Sequence, residues 1–581
     1  MDVERGKTSR TGSLIAVVLI SLVFFLLSFS AALQKSPTYD EPVHLFAGYA
    51  YLKWGDLRIN PEHPPLAKAL AALPLLAVDF GTAGITRAER DIVQRWKDYG
   101  WVLADRFFGS HKDPDRLFLA GKLVMIILAV ILGVFVFFWA RDLFGLRAGI
   151  VALAVYVLDP NILAHSSIVH TDILFSLCFF AGTYFFWRTM NRFTWPGLLF
   201  TSLFFALAAI TKFSFLIILP VWSVLGILRV FSSAPVESQI TSPPVVDRPW
   251  PKAVLLMVVL GTAFMVAYIV IWIAYGFRFD AVSYQSGQMR VGRLVSEEKW
   301  LTILAVLNSK YFLLPEAWVY GLIDAFQAFE RDSYLLGEVS NDGSWRYFPI
   351  AFAAKTPMPT LLLIVCGLAA AIFRRPLWAK NLFLLVPVIG VLAAAIWSGL
   401  NIGLRHILPI YPFLFVFTGG AVLSIWLSKN WIARCGLIVL GIWLLVSSVR
   451  IYPDYLAFFN ELTGGPENGH RILVDSNLDW GQDLKGLKRW MDSQKVEKLQ
   501  FAYFGTIDPS FYGINAVPAP GSITHFWRSD RENSPLSPYI AISATYLAGL
   551  YLYHKDTYAS FRDKMPIAKI GHSILIYRTD Q

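Results

Sequence analysis

Long apolar runs separated by short charged breaks dominate this chain. A helix needs about 20 residues to cross roughly 30 Å of hydrocarbon. Runs near that length recur at 14–33, 117–140, 147–162, 171–188, 196–210, 212–231, 253–275, 356–373, 380–397, 404–426 and 431–450. They predict about eleven membrane helices, with 147–162 and 196–210 short for a full crossing. The first run is longer than the apolar core of a signal peptide and reads as a retained anchor.

The pattern changes in a few stretches. Residues 34–116 are long for a connection between spans. Within them 66–78 predicts an interfacial helix, and 86–108 alternates charge with Ile, Val, Trp and Phe at helical spacing, as a helix lying on the membrane would. Residues 233–252 are rich in Pro and Ser and read as a flexible linker between two halves of the bundle. Beyond 450 the composition shifts. LQFAYF (499–504), YIAISAT (539–545) and HSILIYR (572–578) read as strands, and 478–494 as a helix. The expected organisation is a membrane domain over 1–450 and a small α/β soluble domain over 451–581, with no internal repeat.

Composition agrees. The chain is 56% hydrophobic and 16% charged, with a mean hydropathy of +0.52, as in polytopic membrane proteins. The net charge of +10 could suggest a nucleic-acid partner, but its distribution argues otherwise. With the N-terminus inside, Arg5, Lys7, Arg10, Arg141, Arg147, Arg188, Arg192, Arg229, Arg248, Lys252, Arg374, Arg375, Lys380, Lys429 and Arg434 share the inner side. The first loop, the loop 276–355 and the tail 451–581 then lie outside. Cys178, Cys366 and Cys435 sit far apart in apolar runs and give neither metal spacing nor a disulfide framework. No phosphate-binding glycine loop and no His/Cys cluster with zinc spacing is found, so no metal ligand is assigned.

Candidate chemistry concentrates after the first span, in Ser36–Lys68. Asp40-Glu41 can be read as an acidic pair capping a helix start, or as the base that takes a proton from an acceptor hydroxyl. Asp172, at the start of the fourth run, can likewise cap or catalyse. Lys212 and Arg405 break the charge bias on the outer side, and His406 adjoins Arg405. Both cations suit either headgroup snorkelling or a clamp on a lipid-linked phosphate. Lys355 is similar, just ahead of helix-breaking Pro357 and Pro359. Glu338 lies among turn formers and reads as a loop carboxylate.

DEPVH (Asp40–His44), HPPLAK (His63–Lys68), HTD (His170–Asp172) and Lys212 together resemble glycosyltransferase family 39, which includes the protein O-mannosyltransferases and has the GT-C fold. YFPIAFAAKTPMP (347–359), NIGLRHILPIYPF (401–413) and VDSNLDWGQDL (474–484) resemble its bacterial members. The resemblance implies a polyprenyl-phosphate sugar donor, often mannose, and direct displacement with inversion at the sugar. It implies Asp40 as base, assisted by Glu41 and Asp172, and a donor-phosphate site of Arg405 with His406, Lys212 and Lys355. His44, His63, Lys68 and Glu338 fall in the loop or substrate region. The loop 276–346 is too short for the β-trefoil of eukaryotic members, which points to a prokaryotic-type enzyme of the inner membrane. Protein, lipid and glycan acceptors stay open. No cofactor is assigned, and because the family is mixed on metals a divalent cation stays open. The alternative class is a transporter or flippase of lipid-linked sugars, which should carry mid-span charges or repeated halves.

Overall fold

The computed structural model describes residues 2–78, 84–92, 99–240, 244–280, 299–327, 331–373, 378–428, 430–522 and 537–579. Arg374, Arg375 and Lys429 of the charge pattern, residues 93–98 of the expected interfacial helix and parts of the loop 276–355 lie outside them.

The chain is a multi-pass helical membrane protein. Among the described residues eight helices are long and apolar enough to cross a membrane: Gly12–Gln34, Pro114–Phe144, Asp172–Asn191, Phe213–Val230, Pro249–Ala274, Asn381–Ser398, Leu404–Trp426 and Trp431–Arg450. The remaining predicted runs also form helices, but not straight full-length ones. The run 147–162 becomes Leu146–Val157 and Pro160–Ser166, bent by 66°. Pro160 opens the second piece, and the Asp159 side chain accepts from the Asn161 and Ile162 amides, which caps a new helix instead of continuing the old one. The run 356–373 is the second half of Tyr347–Lys355 and Met358–Ala370, bent by 112°. Thr356, before Pro357, is extended as a residue preceding proline must be. Trp195–Ala209 is a shorter apolar helix. Small residues let the helices approach: a Cβ on Gly419 would sit 2.6 Å from the Ala148 carbonyl oxygen.

The described residues of the stretch 233–252 include paired strands, which the flexible linker suggested by its composition would not. Val236–Ser238 pairs parallel with Arg192–Phe193 and antiparallel with Val245–Val246. Backbone pairing with a distant segment leaves no mark in Pro and Ser content.

The first loop folds as Glu41–Trp54 against Leu66–Ala72, with a short turn Leu73–Ala77 behind. Gly48 makes this crossing possible, because a Cβ there would lie 2.0 Å from the Lys68 carbonyl oxygen. Farther on, Arg87–Ile92 and Tyr99–Gly109 are helical within the stretch 86–108 expected to form a helix.

In the tail, five strands form one mixed sheet in the order Ala516–Pro518, Leu499–Ala502, Tyr539–Ser543, Ile574–Arg578, Ala568–Ile570. The segment just before it lies along the first loop. The Ser36 amide donates to the Gln482 carbonyl at 2.9 Å and the Tyr39 amide to that of Trp480 at 2.7 Å. Lys35 ties the same junction, pairing with Asp483 at 2.5 Å and with Asp454.

Candidate active site

Asp40 occupies the N-cap position of Glu41–Trp54 but makes no side-chain capping bond. Its carboxylate faces other chain segments: Oδ2 lies 3.7 Å from His170 Nε2 and 3.9 Å from Arg405 Nη2. Burial pushes the Asp40 carboxyl up, but the contact with His170 and the charge of Arg405 outweigh it and hold the group below the usual carboxylate range. Capping therefore does not account for this residue.

Glu41 is used differently. It is fully buried, accepts from the Thr38 amide at 2.7 Å and the Val169 amide at 2.9 Å, and lies 3.6 Å from Lys122 Nζ. It pins the loop to the HTD segment, with both carboxylate oxygens engaged. Glu41→Gln should destabilise the protein by about 1–3 kcal/mol, since an amide NH₂ would face a buried N–H donor. Thermal unfolding in detergent would show this as a lowered Tm with folded enzyme still turning over.

Asp172 begins its helix beside Thr171, which also makes no side-chain cap. Asp172 Oδ1 lies 2.5 Å from Lys212 Nζ, and Oδ2 lies 2.8 Å from His170 Nδ1 and 3.8 Å from Arg405 Nη1. Lys212 is held at the turn between Trp195–Ala209 and Phe213–Ile217. Burial lowers its pKa, against the pull of Asp172.

Arg405 is the hub. It sits in the 3₁₀ turn Leu404–Ile410 that leads into Tyr411–Trp426. Its Nη1 lies 2.7 Å from His170 Nε2, its Nε donates to Ser476 Oγ at 3.3 Å, and its guanidinium stacks 4.6 Å from the Trp480 ring centroid. Trp480 also packs on His170, with ring centroids 5.6 Å apart. The tail thus supplies one wall of the site. Ser476 and Trp480 were not singled out from the sequence individually, although they lie inside the VDSNLDWGQDL run.

The other expected residues divide. His44 and His63 lie against His170, with ring centroids 4.6 and 5.4 Å from it. His406 is half-buried next to Arg405, and its Nε2 has no hydrogen-bond partner among the described residues. Lys68 instead braces the loop, donating to the Asn60 and His63 carbonyls at 2.5 and 2.7 Å and to Tyr51 Oη at 2.8 Å. Burial pushes its amine down to about 7, with Glu62 opposing. Lys355 donates to the Leu456 and Asn477 carbonyls at 2.7 and 2.5 Å, fixing the bent helix pair to the tail. Glu338 is exposed on the hairpin Ser333–Leu335/Glu338–Ser340.

The comparisons with known proteins follow the same residues. Positions 116–236, which contain His170, Asp172 and Lys212, match the sequence model of the family described as dolichyl-phosphate-mannose-protein mannosyltransferase. The chain is thus similar to glycosyltransferase family 39, as its motifs imply. No curated protein matches it. Among solved structures, ArnT from Cupriavidus metallidurans bound to undecaprenyl phosphate aligns with a TM-score of 0.45 at 12% identity, over 97% of this chain and 98% of that one. AglB, the oligosaccharyltransferase of Archaeoglobus fulgidus in complex with an inhibitory peptide and a dolichol-phosphate, gives 0.41 at 11% identity, over 93% and 71%.

Proposed function

We propose that this protein transfers a hexose, mannose or a relative of it, from a polyprenyl-phosphate carrier to an acceptor hydroxyl on the outer face of the membrane. The observation that carries this reading is the convergence of Asp40, His170, Asp172, Lys212 and Arg405 from separate chain segments into one cluster, buried except for the half-buried Asp40. A cytoplasmic N-terminus follows from the charge bias and puts this cluster outside. Nucleotide sugars are absent there, so the activated sugar has to arrive on a lipid.

The cluster suits the chemistry. The acceptor oxygen attacks the anomeric carbon while the bond to the carrier phosphate breaks, inverting the centre. Asp40 takes the hydroxyl proton. A carboxylate this acidic does so late, once the attacking oxygen has begun bonding to carbon and its proton has become acidic. The phosphate leaves with two bound oxygens gaining charge, where the fork of Arg405 matches its geometry and Lys212 adds a point charge. Lys212 pairs with Asp172, and Arg405 with Asp172 and Asp40, so the incoming phosphate competes with these carboxylates for both cations. The family match to a dolichyl-phosphate-mannose-dependent group supports the donor class.

Purified protein given a polyprenyl-phosphate hexose and a mixed pool of hydroxyl acceptors should release polyprenyl phosphate. The same hexose on a nucleotide should not be consumed. Turnover of the nucleotide sugar alone would overturn the reading.

A further inference from the structure

Histidines scattered at positions 44, 63 and 170 meet beside this cluster. His44 is on Glu41–Trp54, His63 is in the turn after Asn60, and His170 directly precedes Asp172–Asn191. Each offers a ring nitrogen, and these three atoms lie within 4.8 Å of one another. The rings could be mere packing, but one of them is poorly served by packing alone. His44 is 1% exposed, and its Nδ1 has no hydrogen-bond partner among the described residues. A buried polar nitrogen left unpaired is costly and calls for a partner. A metal ion is a partner that several imidazoles can share.

The neighbours fit that use. His170 sets Nδ1 2.8 Å from Asp172 Oδ2, while its Nε2 faces Arg405 Nη1 at 2.7 Å. Metal-bound histidines commonly carry a carboxylate on their other nitrogen in this way. The cations around the rings are Lys68, Lys212 and Arg405, and they are matched by Asp40, Asp172 and Glu62.

We propose that His44, His63 and His170 form a divalent-metal site, with three imidazole ligands and an open fourth position, best suited to Zn²⁺. The site has a built-in competitor. Arg405 Nη1 now lies 2.7 Å from His170 Nε2, so ion and guanidinium contend for the same nitrogen. Metal entry would turn Arg405 toward Asp40, Asp172 or a donor phosphate.

The test uses the full chain purified without a histidine tag, stripped by chelator and titrated with Zn²⁺ alone. Metal content is read by elemental mass spectrometry and coordination by X-ray absorption. One Zn²⁺ per chain is expected, with histidine nitrogens at about 2.0–2.1 Å. His44→Ala and His63→Ala should each weaken binding about tenfold or more, and Asp172→Asn by about 10–100-fold. Arg405→Met should tighten binding, because it frees His170 Nε2; a purely structural histidine stack predicts no such gain. Absence of stoichiometric Zn²⁺ in folded wild type overturns the proposal, as does binding unmoved by both histidine variants. Should those variants misfold, the wild-type absorption spectrum and Arg405→Met decide it. Metal is read without turnover, so a failure of sugar transfer bears on the function proposed above and not on this site.

Discussion

Asp40→Asn should lower kcat for sugar transfer by about 10²–10⁴-fold, the usual worth of a positioned general base. Asparagine keeps the shape and cannot take the proton. The KM for the lipid donor should not rise, because Arg405 and Lys212 remain and Asp40 no longer competes for Arg405. The comparison with Glu41→Gln is informative: neighbouring acids should fail in different currencies, Asp40 in rate and Glu41 in stability. Steady-state kinetics on detergent-purified variants of matched Tm separates them. An Asp40→Asn enzyme with near-normal kcat would remove Asp40 from the chemistry.

Arg405→Lys should cut kcat/KM for the donor by about 10–100-fold, mostly through KM. Lysine keeps the charge but loses the bidentate fork and the flat face that stacks on Trp480 at 4.6 Å. Losing one charge-assisted hydrogen bond is worth about 1.5–3 kcal/mol, which sets that range. Titrating donor at saturating acceptor measures it. Unchanged donor KM would place the phosphate elsewhere.

Much of this molecule is legible in its sequence, and the illegible parts have identifiable causes. The spans are visible because hydrocarbon demands long apolar runs, and the break at Pro357 is signalled by proline itself, whereas the bend at Pro160 falls inside the run 147–162 read as one span. Asp40, Asp172, Lys212 and Arg405 stood out because a charge in so apolar a chain needs a reason, and the structure gathers all of them. Sequence grouped Glu41 with Asp40, yet successive residues at a helix start point about 100° apart. Which one faces the site depends on where the Val169 amide lies, a contact spanning more than a hundred residues. Lys355 shows the same difficulty. A cation at a helix break looks alike whether it meets a phosphate or the Leu456 and Asn477 carbonyls. Trp480 and Ser476 join the site only because the tail folds back onto residues 36–39. The histidine trio has no spacing rule to reveal it, since its members come from separate segments of the chain.

The central claim is that the sugar leaves its lipid here rather than travelling with it. Proteoliposomes loaded with a polyprenyl-phosphate hexose labelled in both sugar and lipid test this most directly. One polyprenyl phosphate should be released for each hexose found on an acceptor, with both products missing in Asp40→Asn. Intact lipid-linked sugar crossing the bilayer, with no free polyprenyl phosphate formed, would contradict it and identify a transporter.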